Sequence, residues 1–206
     1  MDNELRQYAP ATERNREPIL AVLLKVLPSF GNILEISSGT GEHAIFFAPH
    51  IYPRQWIPSE PNPQLRASIQ AWTVDCPTDN VYPPLDINVE SLTWYRELDQ
   101  SLSIQAIVNI NMIHIASWSA CLGLIAGAQQ LLPKQGILYL YGPFKIEGKH
   151  TAASNLAFDE MLQSQNPDWG VRDLDQVVAV AKQHQLNLLE AIAMPANNLS
   201  VIFQRE

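Results

Sequence analysis

At 206 residues, 47% hydrophobic and 17% charged, the chain is long enough for one ordinary domain with a sizeable core and too apolar for a disordered tail. Thirteen Lys and Arg against 21 Asp and Glu leave a formal charge of −8, which argues against nucleic acid and anionic membranes, since both recruit a basic face. Cys76 and Cys121 form no C-x-x-C or metal-ligand spacing, and the polar start Met1-Asp2-Asn3-Glu4 carries no secretory signal, so a cytoplasmic protein with two reduced thiols is expected.

The first helix is predicted over residues 17–27. Glu17 and Pro18 suit its first turn, and Ile19, Leu20, Leu23, Leu24 and Leu27 recur at helical spacing up to Pro28. Residues 32–37 read as a short buried strand, Gly39-Thr40-Gly41 as the turn behind it, and 42–49 as a helix start. The unit repeats, with a strand at 55–59 and a helix at 63–72. A weaker strand is expected at 81–85, where Pro83 and Pro84 favour an edge or irregular strand over a central one.

Residues 104–110 make the strongest strand, apolar and β-branched. Ser117 then caps a helix running to Leu132, with Trp118, Leu122 and Ile125 on one face and Pro133 as the stop. The apolar stretch 104–132 is interrupted by Asn109, Asn111, His114 and Gln129, too often for a membrane span. A strand follows at 136–141, then a polar loop at 144–151 that is either a lid or a connection. Asp173 with Gln176 forms a capping box for a helix to His184. The last two strands, 186–193 and 199–204, are separated by too few residues for a parallel crossover, so they form an antiparallel hairpin. The alternation predicts a single α/β domain over 1–206: a Rossmann-like, seven-stranded, mostly parallel sheet with a C-terminal antiparallel hairpin and helices on both faces.

The glycine turn lies between a strand and a helix, where open α/β sheets bind ligands. Taken alone, Gly39-x-Gly41-x-x-Ala44 fits the dinucleotide fingerprint, with Glu60 placed for a ribose, and this keeps an NAD-dependent oxidoreductase as an alternative. Glu35 points elsewhere. It sits inside the strand that a pyrophosphate site would keep apolar, and a buried carboxylate is costly without a partner. A cationic ligand offers one, and S-adenosylmethionine (SAM) carries an ammonium and a sulfonium but no phosphate.

Glu35-x-x-x-Gly39-x-Gly41, the acids Glu60 and Asp86, and the terminal hairpin resemble a class I SAM-dependent methyltransferase. Residues 9–20, 35–44, 109–118 and 141–144 further resemble a bacterial and eukaryotic methyltransferase-like family, the one that contains methyltransferase-like protein 26. The resemblance implies that Glu35, Ser37, Gly39 and Gly41 line the methionine end of SAM and that Glu60 accepts the ribose hydroxyls. Asn62 would flank the adenine, Asp86 would accept from its amino group, Ile87 would pack on the ring, and Asn109 would close the site. Asp86 reads equally well as a turn residue.

The substrate side is expected past the strand at 104–110. His114 is the candidate general base, its alternative being a histidine satisfied by a backbone carbonyl. Asn111 would orient a substrate, and Trp118 would wall a pocket or pack in the core. Phe144, which opens the polar loop, is a further substrate-binding candidate. Tyr8 and Arg14 are substrate-binding candidates on an N-terminal helical segment, 1–28, that either covers the site, with Arg14 or Arg16 pairing a carboxylate of SAM or substrate, or is simply a solvated helix start. The [Asp/Asn]-Pro-Pro-aromatic motif of enzymes that methylate nucleic-acid amino groups is absent, in line with the acidic charge. His43, His50, His150 and His184 show no metal spacing, so no metal is expected. The reading is a SAM-dependent methyltransferase acting on a small acidic or neutral molecule, with a SAM-binding protein that has lost turnover as a second alternative.

Overall fold

Strands buried on both faces read as continuous apolar runs rather than alternating ones, and the computed structural model, which describes residues 2–91, 93–99 and 101–206, places its sheet on those runs. In chain order the elements are α1 (Pro10–Val26), β1 (Asn32–Ile36), α2 (Glu42–Phe47), β2 (Trp56–Ser59), α3 (Pro63–Thr73), β3 (Ile104–Ile110), α4 (Trp118–Leu131) and β4 (Ile137–Gly142). There follow β5 (Phe144–Ile146), β6 (Lys149–His150), α5 (Ala153–Gln165), β7 (Arg172–Asp173), α6 (Leu174–Gln183), β8 (Leu186–Met194) and β9 (Asn198–Arg205). The main sheet is mixed, with strand order β2-β1-β3-β4-β9-β8 and helices on both sides. The hairpin is antiparallel, and its second strand pairs antiparallel with β4, so the reversed strand lies one place in from the edge.

The main sheet has six strands, not seven. Residues 80–85 run beside β2 and exchange backbone bonds with it: Trp56 donates to Asn80, Tyr82 to Trp56, Leu85 to Pro58 and Glu60 to Leu85. Only two isolated parallel bridges result, at Trp56–Val81 and Ser59–Leu85. Pro83 and Pro84 have no N–H to continue the ladder between them.

The chain divides into two compact units, Met1–Asn88 with Asp99–Val108, and Val89–Leu98 with Asn109–Glu206. In unit 1 the core gathers Ile19 and Leu23 of α1, Ile33, Leu34 and Ile36 of β1, Phe47, Trp56, Ile57 and Ile69, all essentially without solvent exposure. The first helix begins seven residues earlier than its apolar periodicity indicates: Pro10 takes the first turn, where its missing N–H costs nothing, and Pro18 lies inside. In unit 2, Leu124 and Ile125 of α4, Leu138 and Leu140 of β4, and Val201 and Phe203 of β9 form the core.

Residues 144–151 are not an irregular loop. They make the hairpin β5-β6, which with β7 builds a second, three-stranded sheet, β6-β5-β7. Helix α5 follows and escapes sequence periodicity, because the side it buries is largely polar: Asn155 and Asp159 with Leu162. Asp159 is the reason. Its carboxylate takes Lys145 Nζ at 2.7 Å, His150 Nε2 at 3.1 Å, the Val171 N–H at 2.8 Å and the Gln163 amide at 3.0 Å. Among the described residues, no helix is long and apolar enough to cross a membrane.

Candidate functional site

In unit 1 the expected cofactor residues collect at the ends of β1 and β2. The turn between β1 and α2 is wound tightly, with Ser37, Gly39 and Gly41 all at positive φ (56°, 57° and 96°). The two glycines serve different ends. A Cβ on Gly41 would stand 2.8 Å from Ile69 Cα, so this position lets α3 pack against the turn. A Cβ on Gly39 would meet nothing within 4 Å, so the backbone there faces open space.

Glu60 organises the turn. One carboxylate oxygen accepts from the Gly39 N–H and the other from the Asn62 N–H, each at 3.1 Å. Burial raises the Glu60 pKa, and those two N–H groups and Arg66 hold part of the rise back. Ser59 and Ser38 add a second tie: the Ser38 N–H donates to the Ser59 carbonyl and the Ser59 N–H to Ser38 Oγ. Glu35, wholly buried, has its Oε2 3.0 Å from the Trp56 indole N–H. Burial lifts its pKa to about 7 against the opposing pull of Trp56 and Ser38, with the nearby Glu60 adding a little more.

Asn62 is the N-cap of α3, accepting from the N–H groups of Gln64 and Leu65, with Pro63 in the first helical position. Arg66, one turn into that helix, donates to the carbonyls of Glu60 and Pro61 and pairs with Asp86 at 2.9 Å. Asp86 is otherwise open, its side chain 65% exposed, while Ile87 beside it is buried. Tyr8 is 68% exposed and stands edge-on to Trp72 with ring centroids 5.0 Å apart. The segment it belongs to is anchored near the turn, since the Ala9 N–H and Thr40 Oγ1 share Glu42 Oε2. Arg14 is exposed on α1 and joins none of these groups.

In unit 2, Asn109 is fully buried at the end of β3. Asn111 follows at φ 66°, its N–H bonded to the Tyr141 carbonyl. His114 has 0% exposure and lies edge-on to buried Phe144 at 5.0 Å. Its Nδ1 accepts the Arg172 N–H at 3.3 Å, which assigns the ring proton to Nε2. Burial, helped by the Arg172 charge, drops its pKa to about 3, so the ring is neutral. Among the described residues Nε2 has no hydrogen-bond partner; a Cβ on Gly142 would lie 2.5 Å from it and 3.3 Å from Asn111 Oδ1. Trp118 opens α4 beside Arg172, whose guanidinium carbon lies 5.7 Å from its ring centroid.

Arg172 and Asp159 organise this half, and the sequence carries no pattern that marks them. Neither belongs to a spaced motif. The one local signal, the Asp173 cap of α6, identifies a helix start and is silent about the arginine before it.

The fold is that of methyltransferases. The structure resembles an O-methyltransferase family protein from Burkholderia thailandensis with a TM-score of 0.79 at 13% identity, covering 95% of this chain and 57% of that one. It matches human N-acetylserotonin methyltransferase, solved in complex with SAM, with a TM-score of 0.75 at 9% identity (95% and 52% covered). It also matches an O-methyltransferase family 2 protein from Planctomyces limnophilus, in complex with apigenin, with a TM-score of 0.72 at 14% identity (93% and 62% covered). The chain thus spans little more than half the length of these proteins. The chain belongs to the family described as Protein of unknown function (DUF938), whose pattern matches residues 6–205.

Proposed function

We propose that the protein is a SAM-dependent methyltransferase acting on a small molecule, with unit 1 holding the cofactor. One observation carries the choice of cofactor. The turn N–H that a pyrophosphate would need, that of Gly39, is already donated to the Glu60 carboxylate, and a second buried acid, Glu35, stands behind it. Such a site repels phosphate and gains from a cation. Glu60 retains lone pairs for a ribose diol, and the open space beside Gly39 leaves room for the ligand to approach the backbone. Asp86 and Ile87 would face the adenine, and Tyr8 and the rest of the 1–28 segment would cover the cofactor.

Bound SAM supplies a methyl group already activated by its sulfonium. The chain then has to align an acceptor and shape the electrostatics around it. For His114, the neutral Nε2–H form favours donating a hydrogen bond to an acceptor oxygen over removing its proton. The small-molecule acceptor is supported by the apigenin complex of the Planctomyces limnophilus protein. Kinship with the family of methyltransferase-like protein 26 is supported by the stretches 9–20, 35–44, 109–118 and 141–144.

The test is calorimetry and thermal shift with SAM, S-adenosylhomocysteine and NAD. Stabilisation by the first two is expected, and stabilisation by NAD alone would overturn the proposal. A labelled-methyl assay over metabolite extracts then reads turnover; SAM binding with no transfer to any extract would make the protein a SAM binder rather than an enzyme.

A further inference from the structure

A groove of about 390 Å³ opens in unit 2, walled by Trp118, Lys145, Arg172, Asp173 and Gln176. Its volume lies within the range of small-molecule sites. Three of its four charged or polar groups have their bonding settled within the chain or carry no charge. Lys145 is neutralised by Asp159 at 2.7 Å. Asp173 gives one oxygen to the Gly148 N–H and the other to the Asp175 N–H. Gln176 is uncharged and exposed on α6.

Arg172 differs from the others. Its Nε donates to the Ile113 carbonyl at 2.8 Å, and Nη2 donates to those of Ala116 at 2.5 Å and Asp168 at 2.9 Å. These bonds fix the plane of the guanidinium and leave Nη1 with no hydrogen bond to the described residues. Among the described residues no carboxylate pairs with it. Burial pulls the pKa of this half-buried cation down, and the nearby charges of Asp159 and Asp168 hold part of the fall back; neither carboxylate touches it, so the guanidinium keeps donor capacity for an anion. A guanidinium held in this way suits a planar oxyanion, because its fork is already oriented. The Trp118 ring beside it, 5.7 Å from the guanidinium carbon, provides a flat apolar wall.

We propose that this groove is a binding site for a planar aromatic monocarboxylate, its carboxylate on Arg172 and its ring against Trp118. Lys145 offers its aliphatic stem as the facing wall and Gln176 a polar group at the mouth.

The test uses the full chain, 1-naphthoate as probe and 1-naphthamide as its uncharged isostere, followed by NMR at the Trp118 indole N–H, which a Trp118→Phe variant identifies. Naphthoate should shift that signal with at least tenfold tighter binding than naphthamide. Gln176→Glu adds a charge at an exposed position and should weaken naphthoate binding about two- to fivefold by repulsion at the mouth, with the melting temperature unchanged. Equal affinity for acid and amide, indifference to Gln176→Glu, or no Trp118 shift at millimolar naphthoate would each overturn the proposal. SAM stabilisation measured on the same samples reports on the cofactor site, so failure of this groove and failure of the methyltransferase reading are separate results.

Discussion

Glu35→Gln tests the electrostatics on which the cofactor assignment rests. In the folded chain the Glu35 pKa rises from an ordinary 4.5 to about 7, mainly because burial penalises the carboxylate. Between those two values the folded protein keeps a proton that the unfolded chain has released. Stability from this residue is therefore complete below pH 4.5 and is lost as pH rises toward 7 and beyond. At roughly 1.4 kcal/mol for each pH step over which the states differ by one proton, the loss from pH 4 to pH 8 is about 3 kcal/mol. Glutamine imitates the protonated acid at every pH and keeps a carbonyl for the Trp56 N–H. The variant should match the wild type near pH 4.5 and exceed it by about 3 kcal/mol at pH 8. Urea denaturation followed by tryptophan fluorescence at half-unit pH steps measures the difference, and the histidines cancel because both proteins carry them. A difference that stays flat from pH 4.5 to 8 would refute the reasoning. A cationic cofactor should oppose the effect: SAM binding to the wild type should strengthen above pH 7, as Glu35 ionises, and in Glu35→Gln it should be weaker and independent of that ionisation.

Two further outcomes follow from the same geometry. His43 and His114 are both held near pKa 3, chiefly by burial, so neither ring should titrate between pH 5 and 8 in NMR, and the stability they lend above pH 6.5 should vanish as pH falls toward 3; a midpoint near neutrality for His114, or Nδ1–H nitrogen shifts, would remove its donor assignment. Gly41→Ala combines a positive φ with a Cβ 2.8 Å from Ile69 Cα and should cost about 2–4 kcal/mol, whereas Gly39→Ala meets open space, should cost about 1 kcal/mol, and should reduce SAM affinity instead. Equal stability losses in urea would contradict that division of roles.

Much of the architecture is legible in the chain because its signals are local. The apolar runs at 32–36 and 104–110 need no partner to be recognised as strands, Ser117 and Asp173 cap the helices expected of them, and the short link near residue 196 leaves the last two strands no geometry but a hairpin. The Glu35 to Gly41 motif likewise shows in one dimension, because a carboxylate inside an apolar strand conflicts with its surroundings and so draws notice. Only the folded structure decides what resolves that conflict, since the Trp56 indole and the Gly39 N–H reach the acids across 21 residues of chain. The same holds in unit 2. His114 reads from sequence as a base near neutrality, but Arg172, 58 residues away, takes its Nδ1 and holds the proton on Nε2. Helix α5 was invisible because its inner face is polar, and that face has an anchor only once Lys145, His150 and Val171 are folded around Asp159. The sequence by itself determined the apolar strands, the capped helices and which acids break the apolar pattern. The tertiary structure decided their partners, and with them their charge, because burial and long-range hydrogen bonds exist only in the folded chain.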